Sequence, residues 1–363
     1  MWRVILKTAT ALILLVLAYL LFWPVPVAPV AWSPPASQGY VGDFAPNKRL
    51  VGAELLSIGN EHGPEDVAIG KDGSIYAAVT AGKIIKIDAK NGKVSDFAIT
   101  GGRPLGIKFD GAGNLLVADS IAGLLRIMPD GTQEVLVDKD AGGNPLVFTN
   151  SVDSDNQGLI YFSESSSKFG AKASGGTLEG SLLEIMEHGG NGRVFRFDPV
   201  AKKIETIMDG LTFANGIAVD KNGEFVLVVE TGSYRIHKYW LKGDKAGSSE
   251  VLIENLPGFP DNLSHGLNNT YWVGIASKRS ALLDKILDKP FLRKIVQRLP
   301  AAVRPKAQPY GLVVRFDGTG KIIETLQDAS GSYALTTGAV EADDGTLYVT
   351  SLIENKLARV KVK

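Results

Sequence analysis

The chain contains no cysteine, which excludes disulfides, thiolate nucleophiles and cysteine-type zinc sites. Histidine is scarce. His62, His188, His237 and His265 are the full set, and none stands in an HExxH pattern, so a histidine-rich zinc centre is not expected. Charge of one sign is not in excess, because 39 Lys and Arg balance 39 Asp and Glu. No basic surplus is available to neutralise phosphates, which argues against a nucleic-acid partner. The GxSxG elbow of serine hydrolases, the GxGxxG fingerprint and the P-loop are all missing, which leaves serine-elbow and nucleotide chemistry without support.

Charge is also absent from one long stretch. After Arg3 and Lys7 no charged residue occurs until Asp43. About 20 apolar residues span a bilayer, and Val4–Trp23 supplies that length if Lys7 snorkels. Positive charge before the segment and none after it predict a cytoplasmic N-terminus and an extracytoplasmic bulk. A cleaved signal peptide is the alternative, but the following residues are Pro-rich and bulky rather than small. Residues 24–48, with Pro at 24, 26, 29, 34, 35 and 46, read as an extended stalk. The expected organisation is an anchor at 1–23, the stalk at 24–48 and one domain at 49–363.

What is present is a repeat. Six segments, starting at Pro64, Pro104, Thr149, Ala214, Pro260 and Thr336, each read as an apolar strand, a turn of Asp, Asn and Gly, and a second apolar strand. The turns carry Gly73, Gly113, Gly158, Gly223, the pair Asn268-Asn269, and Gly345. They recur mostly every 40–65 residues or so, the range of a four-stranded propeller blade. Two further strand signals follow every pair except the last, which has one. Ala53–Ile58 is the candidate for the missing strand, and would close the ring and remove its exposed edges. The expected fold is therefore an all-β six-bladed propeller with an N-terminal transmembrane helix. Insertions interrupt it at 165–192 and 280–306. The second has helical spacing, with a break at Pro290, and reads either as helices packed on the propeller or as a lid that also touches the membrane surface.

Aligned on the turn, one column holds Glu65, Pro104, Asn150, Asn215, Asp261 and Thr337. In a propeller the first strand of each blade lines the central channel. Glu65, Asn150, Asn215 and Asp261 should then ring one mouth. Carboxylates combined with carboxamide oxygens suit a hard cation that takes 6–8 oxygens or so, and Ca2+ fits best. Antiparallel strands reverse direction, so the ends of second strands, Asp119, Glu164 and Glu230, should lie near the same mouth. A calcium ion there would polarise a carbonyl or phosphoryl oxygen. Asp261 is then a candidate nucleophile or water activator, with Asp119, Glu164 or Glu230 as base. His265 faces either the channel or the core, and His62 the rim.

From about Ala53 onward the chain resembles the strictosidine-synthase-like propellers, especially the adipocyte plasma membrane-associated protein group. The resemblance lies in residues 63–69, 148–155, 161–169, 192–199, 213–220, 234–243, 256–265, 271–280 and 287–294, including GFPDN, SSSKF and DKPF. The wider superfamily includes paraoxonases and gluconolactonases. The resemblance implies a channel calcium held by Glu65, Asn150, Asn215 and Asp261, with Asn262 as a further ligand. It departs from its namesake at Gly338 and Ala339, where a catalytic Glu is expected, and from paraoxonases at Asp119, near which a His is expected. Asp66 fits a second, structural calcium, but Ser151 stands where an acid belongs.

The leading expectation is a membrane-anchored, calcium-dependent hydrolase of esters or lactones, of arylesterase type. Its partners would be a small ester or lactone and the membrane, the latter through the N-terminal helix and residues 280–300. The alternatives are a non-catalytic calcium-stapled propeller and a strictosidine-synthase-type lyase.

Overall fold

A computed structural model of the chain describes residues 1–362. Its 24 strands form six four-stranded sheets. Five blades are continuous in sequence, from Asp66 to Ile99, Pro104 to Val137, Thr149 to Leu211, Ala214 to Ile253 and Gly258 to Asp328. The sixth combines Thr336–Glu341, Thr346–Ser351 and Lys356–Lys361 with the N-terminal strand Glu54–Ser57. That strand pairs antiparallel with the last one, Glu54 opposite Arg359 and Ser57 opposite Lys356. The ring closes as the repeat count requires, and Ile58 and Leu357 are buried beside it in the first-blade core with Val67 and Ile85.

The turn residues behave as their chemistry demands. Gly73, Gly113, Gly158, Gly223 and Gly345 have φ between 65° and 90°, and blade five uses Asn268 and Asn269 at 56° and 57°. These left-handed values are open to Gly and tolerated by Asn.

Inner strands are irregular at one level. The ladder shifts register between Pro104 and Gly106, Thr149 and Val152, Ala214 and Ile217, Pro260 and Leu263, and Thr336 and Ala339. Such bulges re-aim side chains out of the regular alternation. Blades also approach closely here. A Cβ on Gly216 would lie 2.6 Å from the Asp261 carbonyl oxygen, and one on Gly106 would lie 2.8 Å from that of Asn150. Below this level, side chains tie one blade to the next. Asp66 accepts from the Ile107 amide at 2.9 Å, Ser151 from Ile217 at 3.1 Å and Asp153 from Val219 at 2.9 Å.

Both insertions are helical. The first forms α1 (Ala171–Ser174) and α2 (Thr177–Glu187); the second forms α3 (Ala281–Ile286) and α4 (Pro290–Arg298), with Pro290 opening the latter. Ahead of the propeller, Trp2–Phe22 is a single helix long and apolar enough to cross a membrane, and it buries none of its residues. The Pro-rich segment is extended but does not stand free. Val25, Val27 and Trp32 pack with Phe169, Met186, Leu283 and Leu287 of the insertions, and Val30 and Trp32 donate backbone hydrogen bonds to the Glu187 and Leu287 carbonyls.

The acids at second-strand ends hold turns instead of facing a cavity. Asp119 Oδ1 accepts from the amides of Arg103, Ile121 and Ala122 at 2.9–3.0 Å. Glu164 is clamped by Arg193 at 2.6 Å and by the Val147 amide at 2.9 Å. Glu230 contacts the Thr212 amide, Ser233, Arg235 and His237. Burial alone would raise Glu230, but the hydrogen bonds from His237 and Arg235, together with the Arg235 charge, outweigh it and hold the carboxyl at about 2. Its folded pKa lies below the ordinary 4.5, so its contribution is present above the unfolded value and is lost as pH falls through the folded one. Glu230→Gln should cost about 3 kcal/mol at neutral pH, because it strands buried partners. In denaturant melts at a series of pH values, the gap from the unsubstituted protein should shrink between pH 4.5 and about 2.

Candidate metal centre and cavity

Glu65, Asn150, Asn215, Asp261 and Asn262 are all buried, none more than 6% exposed. Asn150 and Asn215 lie at the bulged heads of their inner strands, and the consecutive pair Asp261-Asn262 lies in the bulge midway along its own. Short contacts join them. Asn215 Nδ2 donates to Asp261 Oδ1 at 2.6 Å, and Asn262 Nδ2 donates to the Glu65 carbonyl at 2.8 Å. That carbonyl also accepts from Thr337 Oγ1 at 2.7 Å.

Hydrogen-bond bookkeeping fixes which way each carboxamide points. Ser165 Oγ gives its one proton to the Ala214 carbonyl, so it can only accept from Asn150 Nδ2, at 2.7 Å. Thr231 Oγ1 gives its proton to the Pro260 carbonyl and accepts from Asn215 Nδ2 at 3.2 Å. Asn262 Nδ2 meets a carbonyl, which accepts only. The amide nitrogens are thus used, and Oδ1 of Asn150, Asn215 and Asn262 is left buried with no partner. An orphaned buried acceptor costs about 1–3 kcal/mol. Three such oxygens beside two carboxylates make a donor set for a hard cation. Among the described residues no group of three or more His, Cys, Asp and Glu is placed to hold a metal, so the acids here need carboxamides to complete a shell.

Electrostatics point the same way. Burial pushes Glu65 up, although Arg103 opposes the shift. Burial and the Glu65 charge push Asp261 well above the carboxylate range, against the hydrogen bond from Asn215. Arg103, missed by the column because it precedes Pro104, sits with NH2 3.2 Å from Glu65 Oε2. Burial lowers its pKa while Glu65 and Asp119 raise it.

Glu65, Asn150, Asn215 and Asp261 form the floor of a cavity of about 350 Å³. Arg103 shares the floor, Leu105, Phe148, Phe213 and Phe259 line the wall, and Leu178, Leu182 and Ile185 of α2 with Leu283 of α3 cover it. Asp119, Glu164 and Glu230 do not line it, and neither does any histidine. His62 is exposed. His265 lies at the other end of the channel, with Nε2 2.8 Å from Asp153 Oδ2.

The comparisons agree with this architecture. A family model described as strictosidine synthase matches residues 150–244, and one described as strictosidine synthase-like, N-terminal, matches residues 42–87. Strictosidine synthase-like protein 3 of Arabidopsis thaliana is 31% identical over 340 residues, covering 85% of both chains. The adipocyte plasma membrane-associated protein of Salmo salar is 32% identical over 377 residues, 96% of this chain and 88% of the relative. Among solved structures, a gluconolactonase from Xanthomonas campestris superposes with a TM-score of 0.63 at 15% identity, over 93% of this chain and 98% of that one. Regucalcin, a calcium-binding protein from Agrobacterium tumefaciens, gives 0.59 at 14% identity, over 85% and 94%. These two share the propeller fold. The sequence matches extend to nearly the whole chain, and it belongs to the strictosidine synthase-like family.

Proposed function

We propose that the chain is a membrane-anchored hydrolase of esters or lactones, of arylesterase type, working with one calcium ion held by Glu65, Asn150, Asn215, Asp261 and Asn262. The observation that carries this reading is the set of three buried carboxamide oxygens left without partners, on Asn150, Asn215 and Asn262, two of these residues lining an apolar cavity together with the buried acids Glu65 and Asp261. When bound, calcium would supply Lewis acidity toward a carbonyl oxygen. The same scaffold serves a gluconolactonase and a calcium-binding regucalcin, so it accommodates this class of chemistry.

The chain's own residues do the rest. Leu105, Phe148, Phe213 and Phe259 exclude water from around the acyl or aryl part of the substrate. Arg103 presents N–H donors at the floor, where negative charge develops on the carbonyl oxygen. One Asp261 oxygen is fixed by Asn215. The other accepts a proton from water as the water oxygen bonds to the carbonyl carbon. The ester C–O bond then breaks, and Asp261 returns the proton to the leaving oxygen. Gly338 and Ala339 stand where the family namesake needs a catalytic acid, which disfavours lyase chemistry here.

A second reading has its own support. No histidine lines the cavity, Glu164 and Glu230 are held by arginines, and Asp119 spends one oxygen on backbone amides, as expected if calcium only staples the blades.

EDTA should abolish hydrolysis of phenyl acetate and simple lactones, and added calcium should restore it. Asn215→Ala should weaken calcium binding on the order of 100-fold, as for other metal-shell losses. Hydrolysis that persists in EDTA contradicts the role given to calcium. A calcium-dependent rise in Tm with no turnover on any ester or lactone selects the stapled propeller. Arg103→Gln separates the two roles of the floor. It should lower kcat by roughly 100-fold or more, the usual loss for an oxyanion donor. The same change should tighten calcium binding, because a competing cation beside Glu65 is gone.

A further inference from the structure

The cavity cover and the membrane helix are held together. Arg298, at the end of α4, donates Nε to the Trp23 carbonyl at 2.5 Å and NH1 to the Leu20 carbonyl at 2.8 Å. Tyr19 OH donates back to the Arg298 carbonyl at 3.1 Å. These bonds cap the C-terminal end of the apolar helix, whose last carbonyls have no partner within the helix. Tyr19 and Trp23 lie ring to ring at 5.7 Å, and this is the residue pairing that marks the water interface of a bilayer. Val25 packs in one cluster with Leu283, which lines the cavity. Val25 is three residues beyond Phe22, so the end of the span is at most about 11 Å of chain from that cluster. Arg293, fully buried, donates to the Met186, Glu187 and Val30 carbonyls and ties α4, α2 and the Pro-rich strap into one body.

The lip of the cavity is apolar and open. Leu178, Leu182 and Ile353 line it and remain 50–55% exposed. Phe291 on α4 is 55% exposed as well. Large apolar side chains around a polar-floored cavity mark a surface with a partner. Lys285, Lys289 and Lys306 of the second insertion and its flank are exposed as well, which suits the anionic headgroup layer.

We propose that the lip formed by Leu178, Leu182 and Ile353 rests in the bilayer surface through which the helix enters, and that the cavity takes its substrate, an ester or lactone with an acyl tail, directly from the leaflet. The substrate class rests on the hydrolase reading; the membrane contact does not.

The absence of cysteine makes the test direct. Full-length L182C, and D343C from the opposite mouth of the channel, are each labelled with an environment-sensitive fluorophore. They are placed in nanodiscs of phosphatidylcholine and phosphatidylserine with lipid spin-labelled near the headgroup. The label at 182 should be quenched several-fold more than the label at 343. Equal quenching overturns the proposal. Hydrolysis is followed in parallel on unlabelled full-length protein in the same discs, with a short and a long aryl ester. The long ester should be preferred, and Leu182→Asp should erase that preference. An unchanged preference overturns the delivery of substrate from the leaflet. Quenching at 182 with no hydrolysis of either ester overturns the hydrolase reading and leaves the membrane contact standing.

Discussion

Two carboxylates buried at one point of the channel with a single arginine beside them set the central constraint. Burial and the Glu65 charge raise the cost of ionising Asp261, and Arg103 pairs with Glu65. Three buried carboxamide oxygens without hydrogen-bond partners add further negative potential. Such a cluster is stable in one of two forms, protonated or neutralised by a cation. The carboxamides favour the second. A protonated acid needs one acceptor, whereas the arrangement provides three acceptors with no donor, which is what a hard divalent ion requires.

The backbone exists to hold this arrangement. Bulges in three of the inner strands carry the candidate ligands Asn150, Asn215, Asp261 and Asn262, and glycine at 106 and 216 lets neighbouring strands approach within a distance no side chain would permit. Blade-to-blade hydrogen bonds below the site from Asp66, Ser151 and Asp153 keep the inner strands in register with one another. The pairing of Glu54–Ser57 with the last strand then closes the ring, and with it sets the separation of candidate ligands that come from four different blades.

Much of this was legible in the sequence because it follows from a repeated turn. Glycine or asparagine at fixed intervals located the hairpins, and a column counted back from them gave Glu65, Asn150, Asn215 and Asp261. Asn262 could not come from alternation: two consecutive residues face one side only where a bulge suspends the period of two. Arg103 stands one place before its blade's column position and was invisible to it. The strand-end acids were placed at the correct height, but their partners, such as Arg193 for Glu164 and Arg235 for Glu230, lie on the third strand, and only the folded sheet brings them round. The strap from Val25 to Trp32 looked like a spacer, because its composition carries no sign of the distant carbonyls and apolar side chains it meets.

The apolar N-terminal helix, the helical cover, the cavity and the candidate metal centre are thus joined by direct contacts. The claim on which this arrangement depends is the ion. Calorimetric titration of the calcium-depleted, full-length protein with calcium tests it most directly. The account predicts one site per chain at the channel floor, lost in Asp261→Ala and in Asn150→Ala. Saturable binding that neither substitution alters, or no binding at all, would contradict it.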